Sequence, residues 1–408
     1  MAYASTLPKH GEPRERVLAQ LDDFVARDPR PEKGYLSCYP MEGGDDLQEV
    51  VQSGFNKYFV QNALVRRYFP GFSQLEAEVL AISASLLSGG VEGIAPIMTS
   101  GGSESIFCAV HAAREWARKA LPHVRQPQLM APYSAHADFS KACHYLGVEL
   151  RRIPVGDDYR ADPAAMEAAI GPDTIGLVGS APCWPYGLFD PIAEIAEIAR
   201  QRGLWMHVDA CVGGFISPFV ALAGFPVPAW DFRIPGVTSI SADLHKYGYA
   251  AKPCSIIAFR DEGLLTHHHV HPDDWPSAKY MAQAFSGSRP AGAAASAWAA
   301  FHYLGEEGYV QRARRTMETK ERLIAGIRKI QGLDPWQTDL CLLLFASHDA
   351  PIEQIVGGMT ALGWPCGGTL QPRLMHLIVD DYLNALTDVV ARIKGGGSVD
   401  RGSLSYVD

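Results

Sequence analysis

Between about residues 94 and 260 short apolar runs recur with helical stretches between them, and no other feature of the chain narrows its fold as far. The runs are Leu129-Met-Ala, Glu149-Leu-Arg-Arg-Ile-Pro, Ile175-Gly-Leu-Val-Gly-Ser, Trp205-Met-His-Val-Asp, Val237-Thr-Ser-Ile-Ser and Ser255-Ile-Ile-Ala-Phe. Each has the length of a strand. The stretches 163–170 and 191–202 between them open on a proline and close near a glycine, as helices do. Strands joined by helices need crossover connections, so the pattern predicts an α/β fold with a mostly parallel sheet covered on both faces.

The flanks predict further units. Residues 1–70 read as an N-terminal arm, with a helix over 13–27 and an aromatic segment around Tyr39. A helix from Phe72, with Leu75, Val79, Ile82 and Leu86 on one face, stops at Gly89-Gly90 and opens a large unit over 71–295. Residues 296–331 read as one long helix or a helix pair, followed by strands at 340–345 and 373–379. They predict a smaller α/β unit over 296–394, with a flexible tail at 395–408.

A formal net charge of -9 gives no electrostatic footprint for nucleic acid or an anionic membrane surface, so a small-molecule partner is expected. The eight cysteines stand singly, with no paired spacing, and no long apolar window interrupts the chain. Together these predict a cytoplasmic protein with no transmembrane anchor. The run His267-His-His-Val-His271 lacks ordered ligand spacing, and no metal is expected.

Four segments carry chemistry. Thr99-Ser-Gly-Gly-Ser-Glu-Ser105 precedes a helical run, and two glycines with small hydroxyl residues at a helix N-terminus suit a phosphate, although an ordinary helix cap looks the same. Trp205-Met-His-Val-Asp209 ends an apolar strand in an acid. A buried carboxylate there needs a cationic partner, and a protonated pyridine nitrogen is one. Ser241-Ala-Asp-Leu-His-Lys246 sets Lys246 just past another strand, where its amine suits a Schiff base with an aldehyde cofactor and His245 suits its phosphate. Phe285-Ser-Gly-Ser-Arg-Pro290 is a second small-residue loop fit to close over a phosphate, in its own chain or a partner.

Taken together, the chain resembles the sphingosine-1-phosphate lyase branch of the group II pyridoxal-phosphate-dependent decarboxylases. The resemblance is carried by Gly101-Gly-Ser-Glu-Ser105, Ser134-Ala-His136, the run His207 to Gly214, the run Ser241 to Ala250 and Gly287 to Pro290. It implies an aspartate aminotransferase-type fold (fold type I) and pyridoxal 5'-phosphate as cofactor. The implied cofactor-binding residues are Gly102, Ser103, His136, His207, Asp209, Cys211, Asp243, His245, Lys246, Gly287 and Ser288, with His136 stacked on the ring. Tyr39, Asn62 and Lys252 match substrate-site positions. The resemblance also implies a homodimer in which the Gly287 loop reaches the neighbour's cofactor.

One position departs from the pattern: where those lyases carry a histidine thought to hold the substrate phosphate, this chain has Val65, followed by Arg66 and Arg67 as alternative donors. The expected activity is retro-aldol cleavage of a phosphorylated 2-amino-3-hydroxy compound, with Lys252 or Tyr249 moving protons. Amino-acid decarboxylation, and cofactor binding without turnover, are the alternatives.

Overall fold

A computed structural model describes residues 6–28, 43–277, 280–281, 283–362, 364, 366–377 and 390–395. Seven strands, β1 (Ala95–Thr99), β2 (Gln128–Pro132), β3 (Glu149–Ile153), β4 (Thr174–Ser180), β5 (Trp205–Asp209), β6 (Ser239–Ala242) and β7 (Ser255–Phe259), form one sheet in the order β1-β7-β6-β5-β4-β2-β3. From β6 to β3 every pairing is parallel, and β7 runs antiparallel to both its neighbours. The six apolar runs read from the sequence all form strands. β1 was not among them; Pro96 lies inside it, and a proline is tolerated because β1 stands at the sheet edge.

Strands β4, β5 and β7 are buried at every position, which requires cover on both faces. Side chains alternate accordingly. In β7, Ile256 and Ala258 join one apolar layer while Ile257 and Phe259 join the other. The helices are α1 (Arg14–Val25), α2 (Asp45–Lys57), α3 (Pro70–Ser88), α4 (Gly102–Ala120), α5 (Asp138–Leu146), α6 (Pro163–Ala168), α7 (Ile192–Arg202), α8 (Ser217–Leu222), α9 (Glu262–Leu265), α10 (Ala291–Ile327) and α11 (Ile352–Ala361). α3 ends on Gly89 at φ 57°, a left-handed cap that a side chain would strain. The long charged stretch is a helix pair, broken at Gly305 where φ is 57° and ψ -179°.

A second sheet, β8 (Leu333–Trp336), β9 (Leu343–Ser347), β10 (Gly367–Gly368) and β11 (Met375–Leu377), is antiparallel in the order β10-β11-β9-β8. It packs with α11 and the end of α10 through Ile327, Phe345, Ile355 and Met359. Several contacts tie it to the large sheet's loops. Arg160 grips the Asp339 carboxylate with two bonds of 2.7 and 2.9 Å, and His376 Nε2 donates to the Trp184 carbonyl oxygen at 3.0 Å. Among the described residues no helix is long and apolar enough to cross a membrane.

Candidate active site

In a parallel sheet the loops that leave the carboxyl ends of the strands gather on one edge, and ligands bind there. Here the segments after β1, β2, β4, β5 and β6 surround one cavity of about 270 Å³. β1 delivers Gly101, Gly102 and Ser103; β2 delivers His136 and Asp138; β4 delivers Pro182 and Trp184. Asp209 and Cys211 come from β5, and Asp243, His245, Lys246 and Lys252 from the segment after β6. Thus five segments distant in sequence share a single volume.

Lys246 Nζ lies 2.8 Å from Asp243 Oδ2 and 6.0 Å from the centre of the Trp184 ring. Burial favours the neutral amine, but the Asp243 charge outweighs it and holds the ammonium above its ordinary range. Burial likewise works against the Asp243 carboxylate, and Lys246, His245 and Ser255 together keep it below the usual carboxyl value. The Ser255 hydroxyl donates to Asp243 Oδ1 at 2.6 Å. Lys252 is pushed below the usual lysine range, by burial first and by the Lys246 charge second.

Asp209 is fixed from behind. The Cys211 amide and the Ser241 hydroxyl both donate to Oδ1, at 3.1 and 3.2 Å. His136 Nδ1 accepts from the Asp138 amide at 3.2 Å, and Asp138 also takes the Ser103 hydroxyl and the Lys141 ammonium. His136 and Lys141 hold Asp138 below the usual carboxyl range although burial opposes this.

The cavity fits pyridoxal phosphate. A side chain at Gly102 would meet Cys211 Sγ at 2.9 Å and Asp243 Oδ2 at 3.1 Å, so the backbone at the start of α4 is kept bare close to the two acids' segments. Bare amides at the N-terminus of a 19-residue helix suit a phosphate. An amine, Lys246, and a carboxylate, Asp209, then stand on the same cavity as the aldehyde and ring nitrogen of that cofactor require.

Several expected residues lie elsewhere. His207 is buried on β5 beneath Asp209 and does not line the cavity. Tyr249 turns away: its ring packs on Tyr309 and under the Arg312 guanidinium, at 5.4 Å, and it lines a separate cavity of about 260 Å³. Lys252 and His245 line both cavities. Gly287 and Ser288 are not on this chain's cavity; Ser288 accepts a 2.8 Å bond from the Asn62 side chain, and Arg289 pairs with buried Glu76 at 2.8 Å. Tyr39 and the side chain of Arg66 lie outside the described residues, and Arg67 lies over the Tyr68 ring. In the histidine run, His268 Nδ1 meets His111 Nδ1 at 3.0 Å.

The sequence reading missed Asp138, Pro182, Tyr247 and Leu342 as cavity residues. Asp138 follows His136 by two residues and opens α5, a signal within reach. Leu342 has none, since it arrives from the far end of the chain.

Residues 57–334 match the family described as pyridoxal-dependent decarboxylase conserved domain. The chain is 35% identical over 382 residues to sphingosine-1-phosphate lyase 1 of Mus musculus, covering 92% of this chain and 66% of that protein. It therefore spans about two thirds of that relative's length. It is 37% identical over 373 residues to the sphingosine-1-phosphate lyase of Arabidopsis thaliana, covering 88% and 68% of the two chains. Among solved structures, a sphingosine-1-phosphate lyase of Burkholderia pseudomallei superposes with a TM-score of 0.91 at 32% identity, covering 97% of this chain and 94% of that one.

Proposed function

The chain belongs to the pyridoxal-dependent decarboxylase family, with an aspartate aminotransferase-type fold and pyridoxal phosphate as cofactor, and from that premise we propose that it is a carbon–carbon lyase. Its substrate class is a phosphorylated 2-amino-3-hydroxy compound of the sphingoid base 1-phosphate type. Cleavage between C2 and C3 yields an aldehyde and an amino alcohol phosphate. The observation that carries this reading is the single cavity shared by Lys246, Asp209, His136 and the start of α4, in a chain 35–37% identical to the mouse and plant lyases.

When bound, the cofactor supplies an aldehyde that captures amines and a ring that draws electrons from the breaking bond. Lys246 Nζ provides the resident amine, which must shed a proton to act as a nucleophile. Asp209 lines the cavity and, with Oδ1 held by Ser241 and Cys211, would offer Oδ2 to a cationic ring nitrogen. Gly102, Ser103 and His245 would hold the phosphate, and His136 would lie against the ring. Lys252, with its lowered proton affinity, takes the proton from the substrate's C3 hydroxyl. Tyr249 is outside the cavity and does not serve this step. Trp184 and Leu342 add apolar surface to the cavity wall.

The cluster of Asn62, Gly287 and Ser288 stands away from this chain's cavity, which supports a two-fold dimer in which it completes the partner's site. A fully active monomer in sedimentation would refute that arrangement. Buried free thiols at Cys108, Cys143, Cys183, Cys211, Cys254 and Cys341 support a reducing, cytoplasmic setting.

The test is to incubate purified protein and its Lys246→Ala variant with amino alcohol phosphates and amino acids and to identify products by mass. Aldehyde release by the wild type alone is the expected result. Carbon dioxide in its place would make the protein a decarboxylase, and no product with cofactor bound would make it a binder. Borohydride reduction should label Lys246; a label on Lys252 would overturn the assignment.

A further inference from the structure

Behind Asp209 a line of polar side chains runs along one face of the sheet, across β5 and β6, buried beneath the apolar layer on that face. Trp205 Nε1 donates to Ser239 Oγ at 3.0 Å, and Ser239 Oγ lies 2.9 Å from His207 Nδ1. His207 Nε2 lies 3.3 Å from Ser241 Oγ, which donates to Asp209 Oδ1 at 3.2 Å. Trp205, Ser239, His207 and Ser241 are each at most 2% exposed, so water does not compete for these bonds.

The direction of the line follows from which groups are able to donate. An indole N–H only donates, so Ser239 accepts from Trp205 and has its own proton to give to His207 Nδ1. Burial lowers the His207 pKa to about 4, which leaves one ring proton at neutral pH. With Nδ1 accepting, that proton sits on Nε2 and points at Ser241. Ser241 Oγ then accepts from His207, and from the Cys211 thiol at 3.4 Å, and has one proton left, which goes to Asp209.

We infer that Trp205, Ser239, His207 and Ser241 form a one-way hydrogen-bond relay that fixes His207 as its Nε2–H tautomer and commits Asp209 Oδ1, so that Asp209 offers Oδ2 to the ring nitrogen of the cofactor. All four are positioning residues. Reversing the relay at any link turns the Ser241 proton back toward His207 and leaves Asp209 with the Cys211 amide as its remaining donor. The role toward the cofactor rests on the reading of Asp209 given above; the tautomer does not.

The relay is read directly by nitrogen-15 NMR of the full chain carrying labelled histidine, without and with pyridoxal phosphate. The His207 signal is identified by its loss in His207→Gln. Between pH 6 and 8 His207 should show a protonated Nε2 and a bare Nδ1; the opposite tautomer, or an imidazolium, would overturn the relay. Ser239→Ala should mix the two tautomers, and a single unchanged tautomer in that variant would also overturn it. Ser241→Ala should weaken pyridoxal phosphate binding roughly three- to ten-fold and displace the pH profile of the bound cofactor's visible absorbance. Wild-type affinity and profile in Ser241→Ala would remove Asp209 from the relay's reach. If the wild type binds no pyridoxal phosphate, the proposed function falls, while the tautomer still decides the relay.

Discussion

Lys246 Nζ stands 2.8 Å from Asp243 Oδ2, three residues back along the same turn, so the amine proposed to react is held in an ion pair by its own segment. The pair keeps the ammonium charged against the pull of burial. Asp243 is itself buried and anchored by Ser255, which makes it a fixed partner.

Asp243→Asn should therefore leave burial as the dominant influence on Lys246 and lower its proton affinity. Since only the neutral amine attacks an aldehyde, the pH at which half-maximal capture of added pyridoxal phosphate occurs should move down. Rapid-mixing absorbance measured from pH 6 to 10 checks this. An unchanged or raised midpoint would refute the role given to Asp243.

Arg289 and Glu76 form an ion pair in which Glu76 is 1% exposed. Arg289→Met breaks a buried ion pair by removing its guanidinium, which should destabilise the fold by about 3–5 kcal/mol. Adding Glu76→Gln should recover part of that loss. Urea unfolding of the three proteins at one protein concentration is the measurement, and a loss below about 1 kcal/mol in the single variant would show that the pair matters little.

Acid should weaken the fold through two buried imidazoles. His207 and His376 both have pKa values lowered to about 4 by burial, against an unfolded value of about 6.5. The unfolded chain then binds protons that the folded chain refuses, so stability is unaffected by either group above about pH 6.5 and falls as pH drops through that window toward 4. Each accounts for on the order of 3 kcal/mol once pH is below 4. Because His376 donates to the Trp184 carbonyl, His376→Gln should flatten the urea midpoint's dependence on pH between 6.5 and 4. An equally steep dependence would exclude His376.

Val65 is half-buried just before the short helical turn Arg66–Tyr68, and its amide bonds back to the Asn62 carbonyl. If the substrate carries a phosphate near it, Val65→His should tighten binding roughly ten-fold, since a charge-assisted bond is worth about 1.5–3 kcal/mol. Steady-state kinetics with phosphorylated and unphosphorylated amino alcohols reads the sign. Improvement confined to the unphosphorylated compound would sink the proposed substrate.

Much of the sheet was legible in the sequence because its central strands are buried on both faces, and burial writes itself as short continuous apolar runs such as Ile175 to Ser180. The proposed site residues were legible for a related reason: Asp209 ends a strand, Lys246 stands just past one and Gly102 opens a helix, so local order places them on the same edge. What the local pattern did not determine was where side chains point after the chain leaves the strand. Tyr249, at φ 59°, is only three residues from Lys246 yet turns onto Tyr309 and Arg312 of α10, contacts made by a helix some sixty residues away. The same holds for β1, hidden by Pro96 and permitted by an edge position that only the assembled sheet defines, and for Leu342, brought to the cavity by the second sheet. His207 shows both halves at once. Its period-two spacing from Asp209 puts it on the same face of β5, but its partners Ser239 and Ser241 come from β6, and strand pairing, a tertiary event, joins them into one line.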